Sequence, residues 1–156
     1  GNLPAVTQAS CGAAHCVALG VDGAAWTWGS NGNGELGDGS FGGGRTLPYR
    51  VPGLPSLIKV AAGELDHTLA LAANGALYGW GQYASTAGFD ASATPVLIRG
   101  SGVIDIASGA LSFTQAFVLN DGTLWGWGGN FGGQLGDGSQ GPNRYPPVQA
   151  LGVKLF

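Results

Sequence analysis

Short runs of alternating apolar and polar residues, broken by glycine, cover most of the chain, and the stretch from 58 to 102 states the pattern most plainly. Ile58-Lys59-Val60-Ala61 alternates and stops at Gly63, which predicts a short strand and a turn. His67-Thr68-Leu69-Ala70-Leu71 predicts a second strand. Asn74-Gly75 follows it, and both central residues of a type I′ hairpin need the positive φ that this pair accepts readily. The third strand is Ala76-Leu77-Tyr78-Gly79-Trp80. Its aromatics share one face, and Gly79 leaves the other bare for a neighbouring sheet to approach. A looser stretch leads to Pro95-Val96-Leu97-Ile98, a fourth and outer strand.

The same order of elements occurs three times. Trp28-Gly29, Trp80-Gly81 and Trp127-Gly128 lie 52 and 47 residues apart, and each is preceded by a turn pair containing Gly23, Gly75 or Gly122. Two residues before each Trp stands another aromatic: Trp26, Tyr78 or Trp125. All five Trp fall in this third strand, and aromatics at period two in matched places predict core between stacked sheets. A period near 50 residues marks a repeat architecture, in which each unit buries its apolar face only against its neighbours. The units run from about 5 to 57, 58 to 102 and 103 to 152, and 153–156 reads as the opening of a fourth.

After the Trp-Gly pair, the first and third units share a longer phrase. Ser30-Asn31-Gly32-Asn33-Gly34-Glu35-Leu36-Gly37-Asp38-Gly39-Ser40 parallels the run from Gly129 to Ser139, with Leu36 and Leu135 each eight residues after the Trp. The second unit departs from it between Gln82 and Phe89. Asp and Asn beside Gly raise calcium as a ligand, but the alternating acids and closing Glu of an EF-hand loop are absent, and tight glycine turns account for the phrase.

Composition narrows the function. The chain has 156 residues, 31 of them Gly; 10% are charged, against roughly 25% in an average domain. Its 44% apolar content is too high for a disordered chain, and no apolar run reaches the length of a membrane span. A net charge of −3 with six scattered basic residues offers no footprint for nucleic acid or an anionic membrane. The absence of Met implies that Gly1 follows processing or excision from a longer chain.

Cys11 and Cys16 flank the turn Gly12-Ala13-Ala14-His15. If that turn joins antiparallel strands, the two sulfurs face each other at disulfide distance, which would imply an oxidising compartment. The alternative is two small buried residues, with Ser108 and Thr114 in the comparable places of the third unit. No fourth ligand accompanies Cys11, His15 and Cys16, so no metal is expected, and nothing suggests a cofactor.

These units resemble the RCC1 repeat, the family of the regulator of chromosome condensation, in a bacterial-type form. The resemblance rests on His15-Cys16-Val17-Ala18-Leu19 and His67-Thr68-Leu69-Ala70-Leu71, on the Asp/Asn-Gly and Trp-Gly pairs, and on the Glu/Gln-Leu-Gly phrase. It rests also on Pro48, Pro95 and Pro147 beyond. The third unit lapses, with Thr114 in the His place. The Gly-His and Trp-Asp marks of WD40 repeats are missing. The resemblance implies an all-β propeller of four-stranded antiparallel blades, three of them here, and a ring left incomplete in this chain. Either the chain is part of a larger propeller or copies of it associate.

No nucleophile sits beside a base in any motif, and no phosphate loop is present, so a non-catalytic protein–protein interaction module is expected rather than an enzyme. Aromatic and Arg residues in the variable stretches after Trp-Gly are the candidate anchors: Phe41, Arg45 and Tyr49 in the first unit. Tyr83 and Phe89 stand there in the second, and Phe131, Arg144 and Tyr145 in the third. The partner would be another protein, further blades or a second copy. The resemblance also implies two alternatives: guanine-nucleotide exchange on a small GTPase, for which no motif is identifiable, and a secreted inhibitor. Low charge, Gly-rich turns and a Cys11–Cys16 bridge would fit an extracellular or cell-surface bacterial setting.

Overall fold

The computed structural model describes residues 2–82, 91–109 and 113–154. It is built of strands alone, in three four-stranded antiparallel meanders. The first holds β1 (Val6–Cys11), β2 (His15–Gly20), β3 (Ala25–Gly29) and β4 (Arg45–Arg50). The second holds β5 (Leu57–Gly63), β6 (His67–Ala72), β7 (Leu77–Gly81) and β8 (Ser92–Arg99). The third holds β9 (Val103–Ser108), β10 (Gln115–Leu119), β11 (Thr123–Asn130) and β12 (Gly141–Lys154). Each β-hairpin between second and third strands turns on a glycine with positive φ: Gly23 at 73°, Gly75 at 80° and Gly122 at 81°. The three sheets are propeller blades, and together they make an open arc rather than a closed ring.

Two cores lie at the two joints. Between the first and second sheets, Val17, Leu19 and Ala25 pack with Val60, Ala70, Ala72, Ala76 and Trp80. Between the second and third, Leu69, Leu71 and Leu77 pack with Val103, Ile106, Phe117, Leu119 and Trp127. Each sheet thus offers one face forward and one back, and a fully buried Leu contributes about 2 kcal/mol.

Side chains also fasten the joints. The amide of Gln8 donates to the Val60 carbonyl (2.9 Å) and accepts from the Val60 N–H (3.0 Å), while Ser10 Oγ accepts from the Ala62 N–H (3.0 Å). These bonds occupy the open edge of β5, which would otherwise present bare donors and acceptors. One joint later Lys59 pairs with Asp105 on β9.

Several expectations change. Trp80 and Trp127 are fully buried and Trp26 nearly so, but Trp28 and Trp125 are half-buried. Cys11 and Cys16 are opposed on β1 and β2 and joined by a disulfide; Cys11 is exposed and Cys16 half-buried, so the pair does not fill a core. In the third sheet Gln115, not Thr114, stands opposite Ser108. Gly126 matches Gly79, and its bare face is filled by Leu135 from its own loop instead of by another sheet. β12 itself runs on to Lys154, which pairs with Thr123, and 153–156 as the opening of a fourth unit stays an expectation.

Candidate interaction surface

Of the candidate residues, Phe41 lies in the long loop after the first Trp-Gly pair and Phe131 in the loop after the third, while Arg45 and Tyr49 stand on β4 and Arg144 and Tyr145 on β12; the first of these loops is a strap. Its organiser is Asn31, which is 1% exposed. The Asn31 amide donates to Asp38 Oδ1 (3.1 Å) and the Ser40 carbonyl (3.0 Å), and its oxygen accepts from the Leu36 N–H (3.1 Å). Within that frame Glu35 is wholly buried, and its Oε2 accepts from the Asn33 N–H at 2.7 Å. The backbone then reaches the second sheet. The Glu35 carbonyl accepts from Trp80 Nε1 (2.9 Å) and Thr68 Oγ1 (3.0 Å), and the Gly39 N–H donates to the Ala93 carbonyl (2.8 Å). Gly37 packs so closely on the Trp80 indole that a Cβ there would lie 2.8 Å from Nε1.

The third sheet builds the same loop. Asn130 donates to the Ser139 carbonyl (3.2 Å) and Ser139 Oγ (3.0 Å) and accepts from the Leu135 N–H (3.1 Å). Gln134 Oε1 replaces Glu35 Oε2, accepting from the Gly132 N–H at 2.8 Å. The frame is therefore closed by its own hydrogen bonds. Its tip residue Phe131 is 74% exposed.

The electrostatics follow the same frame. Burial opposes ionisation of Asp38, yet bonds from Ser40, Arg45 and Asn31 outweigh it and hold the carboxyl below its ordinary range. Asp137 is lowered in the same way, chiefly by Ser139. Two histidines tie the joints together beneath the loops. His15 Nε2–H donates to Thr68 Oγ1 (3.0 Å), because the Thr68 proton is committed to the Glu35 carbonyl. His67 faces the Leu65 carbonyl with Nδ1 (3.3 Å), so Nε2 accepts from Ser108 Oγ (2.6 Å) and Gln115 Nε2 (3.2 Å). Burial lowers the pKa of His15, against the pull of the Glu35 and Asp66 carboxylates, and lowers that of His67 to about 4. Both rings are neutral fasteners at pH 7.

The candidate anchors separate into two sets. Phe41 (59% exposed) and Phe131 project from the loops. Arg45 is engaged at home: its guanidinium is 2.8 Å from Asp38 Oδ2 and lies 4.1 Å over the half-buried Tyr49 ring. Arg144 stands 3.7 Å from Asp137, and Tyr145 is packed against the second core. Tyr83 and Phe89 lie outside the described residues. Missed from the sequence were Asn31 and Asn130 as organisers of their own loops, and Glu35, His15 and His67 as residues that join sheets. An Asn three residues after Trp in both the first and third units was the available signal.

Among the described residues, no group of three or more His, Cys, Asp or Glu is placed to hold a metal. A family model for the regulator of chromosome condensation (RCC1) repeat matches residues 22–71, and a second with the same description matches residues 6–35. The chain belongs to the RCC1-repeat family. Among curated proteins, RCC1-type similarity reaches the human probable E3 ubiquitin-protein ligase HERC3, 45% identical over 51% of this chain and 8% of that protein. Mouse E3 ubiquitin-protein ligase HERC2 is 33% identical over 91% of this chain and 3% of its own length. The Arabidopsis thaliana ultraviolet-B receptor UVR8 is 36% identical over 49% of this chain and 17% of its own. The chain thus spans a small part of the curated relatives it matches. Among solved structures, human WBSCR16 superposes with a TM-score of 0.75 at 25% identity, covering 94% of this chain and 38% of that one. A structure of Kap60 bound to yeast RCC1 (Prp20) gives 0.77 at 23% identity, over 96% of this chain and 38% of that one, a likeness of fold alone.

Proposed function

We propose that this chain is a non-catalytic protein–protein interaction module within an RCC1-type propeller, binding through the loops that follow each Trp-Gly pair. The observation that carries the reading is the pair of matched loops. The first lays its backbone on the adjacent sheet through Glu35 and Gly39. The third has the same internal frame and presents Phe131 outward. A rigid loop with an exposed aromatic tip loses little entropy on binding, which suits a contact surface. The partner is another protein, further blades of a propeller, or a second copy of the chain. In the same direction, the structurally similar Prp20p of Saccharomyces cerevisiae has binding properties toward Gsp1p and histones.

The test is a paired binding experiment with wild type and the F41A/F131A double variant as baits, both checked for folding by circular dichroism. Proteins retained by wild type and lost by the variant are expected; identical recovery refutes the loop assignment. Light scattering on the same two proteins separates self-association from a foreign partner. Nucleotide release from a panel of small GTPases should be unchanged by this chain, and acceleration would replace this reading with exchange activity. The Cys11–Cys16 bridge supports an oxidising setting, and two free thiols on titration of the denatured native protein would refute that.

A further inference from the structure

The two joints of the molecule are built alike, so each serves as a control for the other. Strands β5 and β9 begin equivalently, with Leu57 N–H donating to Gly23 O (2.8 Å) and Val103 N–H to Gly75 O (3.1 Å). The linkers entering them differ. At the first joint the linker is Val51-Pro52-Gly53-Leu54-Pro55-Ser56; Val51 is buried in the core, and Leu54 and Tyr78 each pack on that core. At the second joint Ile98 takes the place of Val51, but Arg99-Gly100-Ser101-Gly102 follows and offers no apolar side chain in the place of Leu54.

The consequence is a groove of about 230 Å³ lined by Ile98, Arg99, Phe117, Trp125, Pro146 and Pro147. Its floor is aromatic: the Phe117 and Trp125 rings are parallel to within 6°, their centroids 6.5 Å apart. Trp125 is half-buried here, in the strand position that Tyr78 holds at the other joint. Its indole N–H is already given to Thr123 Oγ1 (2.9 Å), so the exposed part of the ring is an apolar surface. Arg99 stands at the rim with its guanidinium 6.0 Å from the Phe117 centroid. Among the described residues it enters no ion pair, in contrast to Arg45, Arg50, Lys59 and Arg144.

We propose that this groove docks a short peptide segment of a partner protein carrying a leucine or proline next to a carboxylate. The molecule itself supplies the template for the apolar part, since Leu54 packs on the core from the equivalent linker at the first joint, between the exposed Pro52 and Pro55. The carboxylate answers Arg99: its Nε donates to the Ser101 carbonyl (3.1 Å), which holds the guanidinium at the rim and leaves the two terminal nitrogens to donate to the carboxylate. A proline-flanked segment is already extended and costs little to order, and proline rings pack well against indole. The proposal rests on the reading of the chain as an interaction module and adds a second surface to it, away from the loop tips.

The probe is a fluorescein-labelled synthetic peptide, Glu-Val-Pro-Gly-Leu-Pro-Glu, titrated with the whole chain and followed by anisotropy. Saturable binding below millimolar concentration is expected. It should weaken at least tenfold in Arg99→Ala and for the peptide with both Glu replaced by Gln. Ser101→Leu puts a leucine on the linker and should abolish binding while leaving the thermal midpoint equal or higher, which separates a filled groove from a damaged fold. No binding at 2 mM overturns the proposal, as does equal affinity for Ser101→Leu or for the uncharged peptide. A concentration-dependent dimer of the chain alone, dissolved by Ser101→Leu, would overturn it in favour of a second copy as occupant. Failure here leaves the loop contacts standing, because those are read separately by Phe41→Ala and Phe131→Ala.

Discussion

Replacing Gly37 by Ala tests whether the first loop is locked to the second sheet. Gly37 has φ of +68°, and Gly43, six residues on in the same loop, has φ of +65°. An alanine at either site enters the left-handed region, at a cost of about 1–2 kcal/mol. The sites differ in surroundings. A Cβ at Gly43 meets nothing within 4 Å, whereas at Gly37 it would lie 2.8 Å from Trp80 Nε1 and 3.0 Å from Cδ1. The indole cannot swing away, being wholly buried and bonded to the Glu35 carbonyl. Overpacking of this kind costs about 1–3 kcal/mol more, so Gly37→Ala should lose about 2–5 kcal/mol in total. Urea denaturation followed by far-ultraviolet circular dichroism measures both variants against wild type. In a chain of this size each kcal/mol lowers the thermal midpoint by about 2–4 °C, which gives a second reading. Equal losses at Gly37 and Gly43 would mean that the loop lifts off Trp80 freely, and the argument for a fixed strap would fail.

Three further outcomes concern a joint, a loop and the disulfide hairpin of the first sheet. His67 has a folded pKa of about 4 against 6.5 in the unfolded chain, so between those values the unfolded state binds more protons. Stability from this group is therefore full above pH 6.5 and is lost as pH falls toward 4, by about 2 kcal/mol at pH 5; urea midpoints at pH 7 and 5 should show it, and His67→Gln should remove this part and leave the part owed to His15, whose pKa burial also lowers. Asn31→Ala leaves the buried Leu36 N–H without its acceptor and should cost about 1–3 kcal/mol, measured by thermal melting, with Asn33→Ala as the milder comparison. Reduction of the Cys11–Cys16 bridge opens a loop of sequence separation 5, so the loss should not exceed about 2 kcal/mol and circular dichroism should keep its native shape; collapse of the fold would refute this.

The strands and hairpins were legible because they are local: alternation and Gly23, Gly75 and Gly122 act within a few residues. The blade count was legible for the same reason, as a spacing of Trp-Gly pairs. What joins the sheets was not, since Glu35 meets Trp80 across 45 residues and through a backbone carbonyl, which has no sequence signature. The half-burial of Trp28 and Trp125 was hidden likewise. Trp80 is covered by a loop from the preceding sheet; no such loop lies over Trp28 among the described residues, and Trp125 faces a linker that lacks a leucine. Of the candidate anchors, Arg45 and Arg144 looked free because the acids that hold them, Asp38 and Asp137, stand seven residues away on the far side of a loop. Phe41 and Phe131 needed no partner to be found, and they are the two that project.

The inner edge carries a consequence for how such a chain avoids tangling. Tandem repeats with identical contact faces can pair in the wrong order or exchange between molecules while folding. Here the first joint uses the Gln8 amide on the Val60 backbone, and the second uses Lys59 against Asp105 at the corresponding positions. A first sheet stacked on the third would part Lys59 from Asp105, although Gln8, which bonds to backbone alone, would lose nothing by the exchange. The mark that tells the two joints apart is therefore the ion pair of the second.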